Sequence, residues 1–435
     1  MKVFKFGGAS VKDADAVRNV QRIIKQFADD DLFIVFSAMG KTTNALEKVA
    51  EAWSKHDHSA GSLLKEIAGY HLRIAGELNL DSAIPGKRIQ ILEQIIATEP
   101  PAFYDEAYDM IVSFGELLST DIISGFLNTY NVIDARDVII TDETHRNGAI
   151  NWERTKERIQ EAVTKIQING NRKDVPTINE KHTGTDKITH SIIISQGFIG
   201  STISGKPVTL GREGSDFSAA IFAWALEAKE MIIWKDVPGV LNADPRYFQD
   251  TVKLERMSYR DAIELAYYGA SVIHPKTIQP LQNSNIPLFV RSFYNPEQPG
   301  TLIYNLEEEV DNSAHIPSFI IKHDQVLMSM SPRDFSFIAE GNLHGIFGSL
   351  SQSGIHINMM QLSAISFSIV MDNISDKIET LVNNLKEDYR IRYNSGLELI
   401  TIRYYDQKTI DKIVGSRNVL LEQKSRTTVQ MVVGE

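Results

Sequence analysis

The sequence predicts an α/β domain around a mostly parallel sheet, followed by a smaller α+β region of ferredoxin-like order. Over the first 300 residues, short β-branched runs alternate with amphipathic stretches, the pattern of strand–helix–strand units. Beyond a proline- and glycine-rich stretch the order becomes β-α-β-β-α-β, which defines a ferredoxin-like module. Length agrees: 435 residues, at roughly 150 per domain, make two or three domains.

The elements follow in order. VFKF (3–6) reads as a strand, DADAVRNVQRIIKQFA (13–28) as a helix and LFIVFSA (32–38) as a second strand. A helical region then runs from about Thr43 to Leu127. NVIDARD, DVIIT, SIIISQGFI, PVTL and EMIIW, between 131 and 234, are short apolar runs bounded by turn residues, as buried strands are. In GSDFSAAIFAWALEA, Phe217, Ala220, Ile221, Trp224 and Ala225 recur at the spacing of one buried helix face. NPEQPGTLI, between Asn295 and Ile303, and the acidic LEEEVD after it read as a linker. The boundaries expected are 1–300 and 301–435. The ferredoxin-like order is carried by QVLMSM, FIAEGNLHGIFGSLSQSG, IHINMMQL, SFSIVMDN, SDKIETLVNNLKEDY and ELITIRYY. The tail holds one short helix and two strands, a second module abbreviated unless it borrows strands.

Composition narrows the function. A net charge of −11 without a long basic block disfavours a nucleic-acid partner. Without cysteine, disulfides, thiolate nucleophiles and cysteine metal sites are excluded. No apolar run of signal-peptide length opens the chain and none approaches the roughly 18 residues of a membrane span, so a soluble cytoplasmic protein without a membrane partner is expected.

Four stretches carry candidate chemistry. KFGGAS (5–10) puts Lys5 at a strand end, followed by Gly7, Gly8 and Ser10. The glycines permit close approach of a phosphate, a following helix offers free N–H groups, and Lys5 offers a point charge. On these six residues alone, a turn with Ser10 capping a helix is the slightly favoured reading. TLGREGSD (209–216) sets Arg212, Ser215 and Asp216 between a strand and a helix N-terminus, a place suited to anions. WKDVPGVLNADPR (234–246) places Asp236 and Arg246 in a loop after a strand. VSFGELLST (112–120) places Glu116 in a helix. GKTT (40–43) imitates the end of a P-loop, but that motif needs glycine at position 35, which is Val35.

Together with FSAMGKTTN (36–44), QGFIG (196–200), YGASVIHPKT (268–277) and IPLFVRSFYNPEQPGT (286–301), these stretches resemble the aspartate kinases of the amino acid kinase family. The resemblance implies an αβα sandwich with a C-terminal ACT regulatory region. It implies ATP-dependent phosphorylation of the β-carboxylate of L-aspartate, opening the route to lysine, threonine and methionine, with Mg2+ carried on the phosphates and no protein metal cage. Lys5, Gly7, Gly8 and Ser10 would meet the ATP phosphates, with Asp236 and Arg246 in the nucleotide loop. Ser37, Ala38, Thr43, Glu116, Phe198, Arg212 and Ser215 would line the aspartate site, Glu116 facing the ammonium and Arg212 a carboxylate. Lys5, Arg212 and Asp216 would form the catalytic set.

The family pattern also implies an amino-acid effector at Ile357, Asn358 and Ser363, and a homodimer or tetramer. Four positions depart from it. Glu213 stands where glycine is usual, Ser271 where many relatives carry lysine, and Leu241 where an aromatic is frequent. Asn358 stands where lysine-sensitive relatives often carry aspartate, so feedback by lysine is expected to be weak, altered or redirected. The alternatives are a catalytically weak amino-acid sensor and a kinase for another carboxylate.

Overall fold

The computed structural model describes residues 1–129, 131–170, 191–270, 273–305, 316–334 and 336–434. The chain divides into two compact units, and not at a single cut. One comprises Met1–Val240, Lys253–Ile263 and Val272–Glu309; the other comprises Leu241–Val252, Glu264–Ser271 and Val310–Glu435.

The first unit is built on an eight-stranded sheet. Its order is Val132–Ile133, Ile192–Gln196, Leu32–Phe36, Lys2–Phe6, Met231–Lys235, Leu288–Ser292, Thr301–Tyr304 and Arg256–Ser258. All pairings are parallel except Leu288–Ser292 with Thr301–Tyr304. The central strands are apolar at nearly every position because both faces are covered. Phe4, Phe6, Ile34, Phe36 and Trp234 pack on one face with Val17, Val20, Ile74, Leu78, Ile122 and Ile123 from helices. On the other face Phe33 meets Phe222 of the helix Gly214–Ala225, ring centroids 4.4 Å apart. This is the expected αβα sandwich. A small second sheet joins Ile140–Thr141, Ile199–Thr202 and Pro207–Thr209.

Several elements differ from their sequence reading for identifiable reasons. Ser10 caps no helix: Gly8–Val11 is a 3-10 turn, and Asp13 caps Ala14–Lys25 by accepting the Ala16 N–H at 2.8 Å. In NVIDARD only Val132–Ile133 is extended, because the Asp134 carboxylate accepts the Arg136 N–H and turns Ala135–Val138 into a helical turn. Helix Gly214–Ala225 also buries Ala219, Phe222 and Ala223, so it is covered nearly all round, while Trp224 is half-buried against Trp152. The proline–glycine stretch read as a linker is the loop of a hairpin, since Thr301–Tyr304 returns to the main sheet. Gly300 lies there at φ +73°, where a Cβ would stand 2.1 Å from the Val290 carbonyl oxygen. LEEEVD and Ser271 lie outside the described residues.

The helical region resolves into Thr42–Ser54, Ala60–Glu77, Ala83–Ile96, Tyr104–Val112 and Phe114–Leu127. Tyr104–Leu127 passes for a membrane span by length and composition only, and 72% of its window is buried in the fold, as in a core helix.

The second unit is a six-stranded antiparallel sheet in the order Met359–Leu362, Phe367–Asp372, Ser318–Pro332, Tyr389–Arg403, Thr428–Gly434 and Asn418–Lys424. With helices Glu340–Gln352 and Ser375–Leu385, the first four strands make the expected β-α-β-β-α-β module, whose core includes Met328, Ile346, Ile369 and Leu381. The tail does borrow strands. Ser318–Pro332 and Tyr389–Arg403 are each 15 residues long and run on past a register shift near Gln325. Their far halves pack Phe319, Ile321, Ile400 and Ile402 with Ile410 of helix Gln407–Val414 and with Val429 and Met431. Two cores thus share one pair of long strands.

Candidate active site

Four parallel neighbours end at Phe6, Phe36, Gln196 and Lys235. The loops that follow them border one cavity of ≈ 550 Å³, at the carboxyl edge of the sheet, where α/β folds bind ligands. Every expected substrate residue lines it: Ser37, Ala38, Thr43, Glu116, Phe198, Arg212 and Ser215. So do Lys5, Gly7, Gly8, Ser10, Asp216 and Asp236. Arg246 does not. It falls in the second unit with Leu241, and its guanidinium is held by the Asp244 carboxylate, Nη2 to Oδ2 at 2.5 Å.

The cavity wall holds a buried charge cluster. Lys5 Nζ lies 2.5 Å from Asp216 Oδ1, and Lys235 Nζ lies 4.0 Å from Asp216 Oδ2. Lys5 is the penultimate residue of Lys2–Phe6 and Lys235 the last of the adjacent Met231–Lys235, with Phe6 in register with Trp234. Asp216 opens the first turn of helix Gly214–Ala225. Burial alone would raise its pKa, but the Lys5 and Lys235 ammoniums outweigh burial and hold it below the usual carboxylate range. The ammoniums of Lys5 and Lys235 both line the cavity, and such point charges suit phosphate oxygens.

The glycines act through close packing. A Cβ on Gly8 would lie 2.8 Å from the carbonyl oxygens of Ala38 and Gly40, and the Gly40 N–H donates to the Gly8 carbonyl at 3.0 Å. A Cβ on Gly7 would stand 3.3 Å from Lys5 Nζ. Gly8 therefore lets KFGGAS and GKTT meet backbone to backbone, and Gly7 leaves room for the ammonium. Ser10 Oγ donates to the Trp234 carbonyl at 3.4 Å, tying the turn to the next strand.

Glu116, which also lines the cavity, is buried. Its Oε1 accepts the Ala38 N–H at 3.4 Å and its Oε2 has no hydrogen-bond partner. Burial pushes its pKa up to about 8, against the smaller opposing effects of the Ala38 N–H and the Lys5 charge. A buried acceptor left open costs stability, and an ammonium on a ligand would satisfy it.

Sequence reasoning missed Lys235, Tyr108, Arg146 and Thr209, which also line the cavity. Lys235 carried a readable signal, a second strand-end lysine like Lys5. The others are assembled by Asp109, which is fully buried. Asp109 accepts from Thr209 Oγ1 at 2.6 Å and from the Arg146 N–H at 3.0 Å, and pairs with His145 Nδ1 at 2.7 Å. Arg146, Phe198 and Glu213 are non-glycine residues at φ +63°, +67° and +54°. Such strained conformations collect at functional sites, and side-chain identity gives no sign of them. The αL position of Glu213 also explains why glycine is usual there.

In the second unit the three expected effector residues have internal partners. Asn358 Oδ1 accepts from Lys322 Nζ at 2.7 Å, while its Nδ2 donates to Gln325 Oε1 and Asp372 Oδ1 at 2.8 and 2.9 Å. Ser363 Oγ lies 2.7 Å from Ser366 Oγ, in the turn between Met359–Leu362 and Phe367–Asp372. Ile357 packs against the module core.

A buried lysine–carboxylate cluster and a buried glutamate with an open acceptor thus line one cavity at the carboxyl edge of a parallel sheet, where α/β folds bind small molecules. Residues 1–292 match the amino acid kinase family, and the chain belongs to that family. It is 32% identical over 422 residues to Aspartokinase 1, chloroplastic, of Arabidopsis thaliana, covering 92% of this chain and 70% of that one. It is 29% identical to Lysine-sensitive aspartokinase 3 of Escherichia coli (strain K12), covering 92% and 86%. Escherichia coli aspartokinase III, solved with lysine and aspartate and with aspartate and ADP, superposes with a TM-score of 0.79 at 25% identity, over 100% of this chain and 96% of that one.

Proposed function

We propose that this site transfers the γ-phosphoryl group of ATP to the β-carboxylate of L-aspartate, forming 4-phospho-L-aspartate and ADP. The observation that carries the reading is the pairing, in one cavity, of the Lys5–Asp216–Lys235 cluster with the open acceptor of Glu116.

The chemistry asks little of a base. A free side-chain carboxylate has a pKa near 4, so at neutral pH the nucleophile is already ionised. The work left to the protein is to bring two anions together and to spread charge from the moving phosphoryl group. Glu116 takes the substrate ammonium and leaves the β-carboxylate to face the transferring phosphate. Arg212 takes a carboxylate, and Ser37, Thr43 and Ser215 offer hydroxyls along the way. Lys5, oriented by Asp216, meets the transferring phosphate, with Lys235 beside it. Gly7 and Gly8 keep the turn close to the phosphates.

Mg2+ fits as an ion carried mainly by phosphate oxygens. Among the described residues no group of three metal-ligating side chains occurs, and such ions commonly take only one or two carboxylates from the protein. Asp236 and Glu213, whose Oε2 is unpartnered, are the carboxylates placed to meet it. The metal would neutralise phosphate charge when bound.

The product opens the route to lysine, threonine and methionine, in a cytoplasmic homodimer or a tetramer built from it. An amino-acid effector at the ACT region, at Ile357, Asn358 and Ser363, completes the reading. The engagement of Asn358 by Lys322, Gln325 and Asp372 supports a weak or redirected lysine response.

Release of ADP with aspartate, glutamate, acetylglutamate and UMP as acceptors tests the assignment. Aspartate is expected to be preferred by orders of magnitude. Preference for any other acceptor overturns the reading, and turnover with none of them favours the sensor.

A further inference from the structure

We propose that the buried Asp109 is a positioning residue for the acceptor amino acid: it fixes the stretch of cavity wall that leads into Arg212, so that its loss weakens aspartate binding and leaves ATP binding in place. The inference rests on the aspartate reading above.

Asp109 belongs to helix Tyr104–Val112 and is fully buried. Both of its oxygens are engaged, by donors from two separate stretches of chain. Oδ1 accepts the Thr209 hydroxyl at 2.6 Å, Oδ2 pairs with His145 Nδ1 at 2.7 Å, and the Arg146 N–H reaches both oxygens, at 3.3 and 3.0 Å. A carboxylate accepts at two atoms at once, whereas an amide in its place accepts at one and turns a donor toward the other partner. Burial pushes the Asp109 pKa up, against these three donors. A buried charge is a weak means of stabilising a fold; what this one achieves is placement.

The two stretches meet at the residue before Arg212. Gly211 lines the cavity at φ +80°, and a Cβ on it would stand 2.9 Å from Asn147 Oδ1 and 3.2 Å from the Arg146 carbonyl oxygen. The Gly148 N–H donates to the Thr209 carbonyl at 3.1 Å, and the Leu210 N–H to the Phe198 carbonyl at 2.8 Å. Residues 146–148 therefore lie against 209–211, and Asp109 holds the first stretch through Arg146 and the second through Thr209. Arg146 itself is kept at φ +63°, a strained angle that persists only where its surroundings impose it. Arg212 follows this backbone directly, and a misplacement of about 1 Å is enough to spoil a positioned contact. The bonds that tie Lys5 and Lys235 to Asp216 are separate from these.

The test compares the full-length wild type with Asp109→Asn, Thr209→Val, Thr209→Ser and the double variant Asp109→Asn/Thr209→Val by steady-state kinetics, with thermal melts to report folding. Asp109→Asn and Thr209→Val are each expected to raise the KM for aspartate about tenfold, with kcat and the KM for ATP within a few-fold of wild type. Thr209→Ser keeps the donor and should stay close to wild type. Both changes break the same bond, so the double variant should raise that KM by less than the product of the single effects. A lowered melting temperature with both KM values unchanged marks a purely structural residue and overturns the proposal. So does an equal rise in the two KM values, a fully multiplicative double variant, or a Thr209→Ser that behaves like Thr209→Val. Should Asp109→Asn fail to fold, Thr209→Val against Thr209→Ser decides. If the wild type does not phosphorylate aspartate at all, it is the functional assignment that fails.

Discussion

Lys5 neutralises Asp216 and also presents its charge to the cavity, so its removal separates chemistry from binding. Lys5→Ala should lower kcat by about a hundredfold to a thousandfold and leave the KM for aspartate within a few-fold, read by steady-state kinetics; an unchanged kcat removes Lys5 from the mechanism. Glu116 makes the site pH-dependent. Its folded pKa is raised from 4.5 to about 8, so the empty site is mostly protonated at neutral pH. A raised carboxylate pKa contributes stability that is fully present below about 4.5 and is lost as pH rises through 8; Glu116→Gln should flatten that loss in thermal melts. Aspartate's ammonium favours the ionised form, so binding should release a proton and the KM for aspartate should fall as pH rises toward 8. Calorimetry in buffers of different ionisation heat measures the release, and a buffer-independent heat contradicts it. At this scale much was legible. Lys5, Arg212 and Asp216 stood in motifs whose residue types announce phosphate or carboxylate chemistry. Arg146 and Thr209 were not legible, because only the fold brings them to Asp109. Nor were the left-handed angles of Phe198 and Glu213.

Elements were readable where local chemistry and burial agree. The strands Leu32–Phe36 and Met231–Lys235 are apolar at almost every position because both faces are covered, and Lys2–Phe6 interrupts its apolar run only at Lys2 and Lys5. The misreadings arose where one residue's neighbours decide. Asp134 bends NVIDARD by accepting the backbone N–H and the guanidinium of Arg136. NPEQPG looks like a linker, yet the strand after it finds a partner across the loop, an outcome set by long-range pairing. Gly300 carries the clearest element-level prediction. Gly300→Ala places a methyl against the Val290 carbonyl at positive φ and should cost more than about 1 kcal/mol, read as a lowered unfolding midpoint. Helix Ala60–Glu77 adds an acid limit. His71 is fully buried, its Nδ1 donates to the Ile67 carbonyl, and burial lowers its pKa to about 4. Stability that depends on neutral His71 is present above its unfolded value of 6.5 and is lost as pH falls from there toward 4. His71→Leu should reduce that acid sensitivity in pH-dependent melts.

For the whole molecule, the order of strands and helices revealed both architectures, while the sharing of two 15-residue strands between a full and an abbreviated module was only partly readable, as a shortage of strands in the tail. The internal bonding of Asn358 predicts that millimolar lysine leaves turnover nearly unchanged; saturable inhibition at low lysine would contradict it. The most direct measurement is chemical trapping. The product of the proposed reaction is an acyl phosphate, which hydroxylamine converts to a hydroxamate. Wild-type protein with ATP, Mg2+ and L-aspartate should yield the β-hydroxamate of aspartate in step with ADP, and Lys5→Ala should yield almost none. ADP formed without the β-hydroxamate, or an equal yield from Lys5→Ala, would contradict the account.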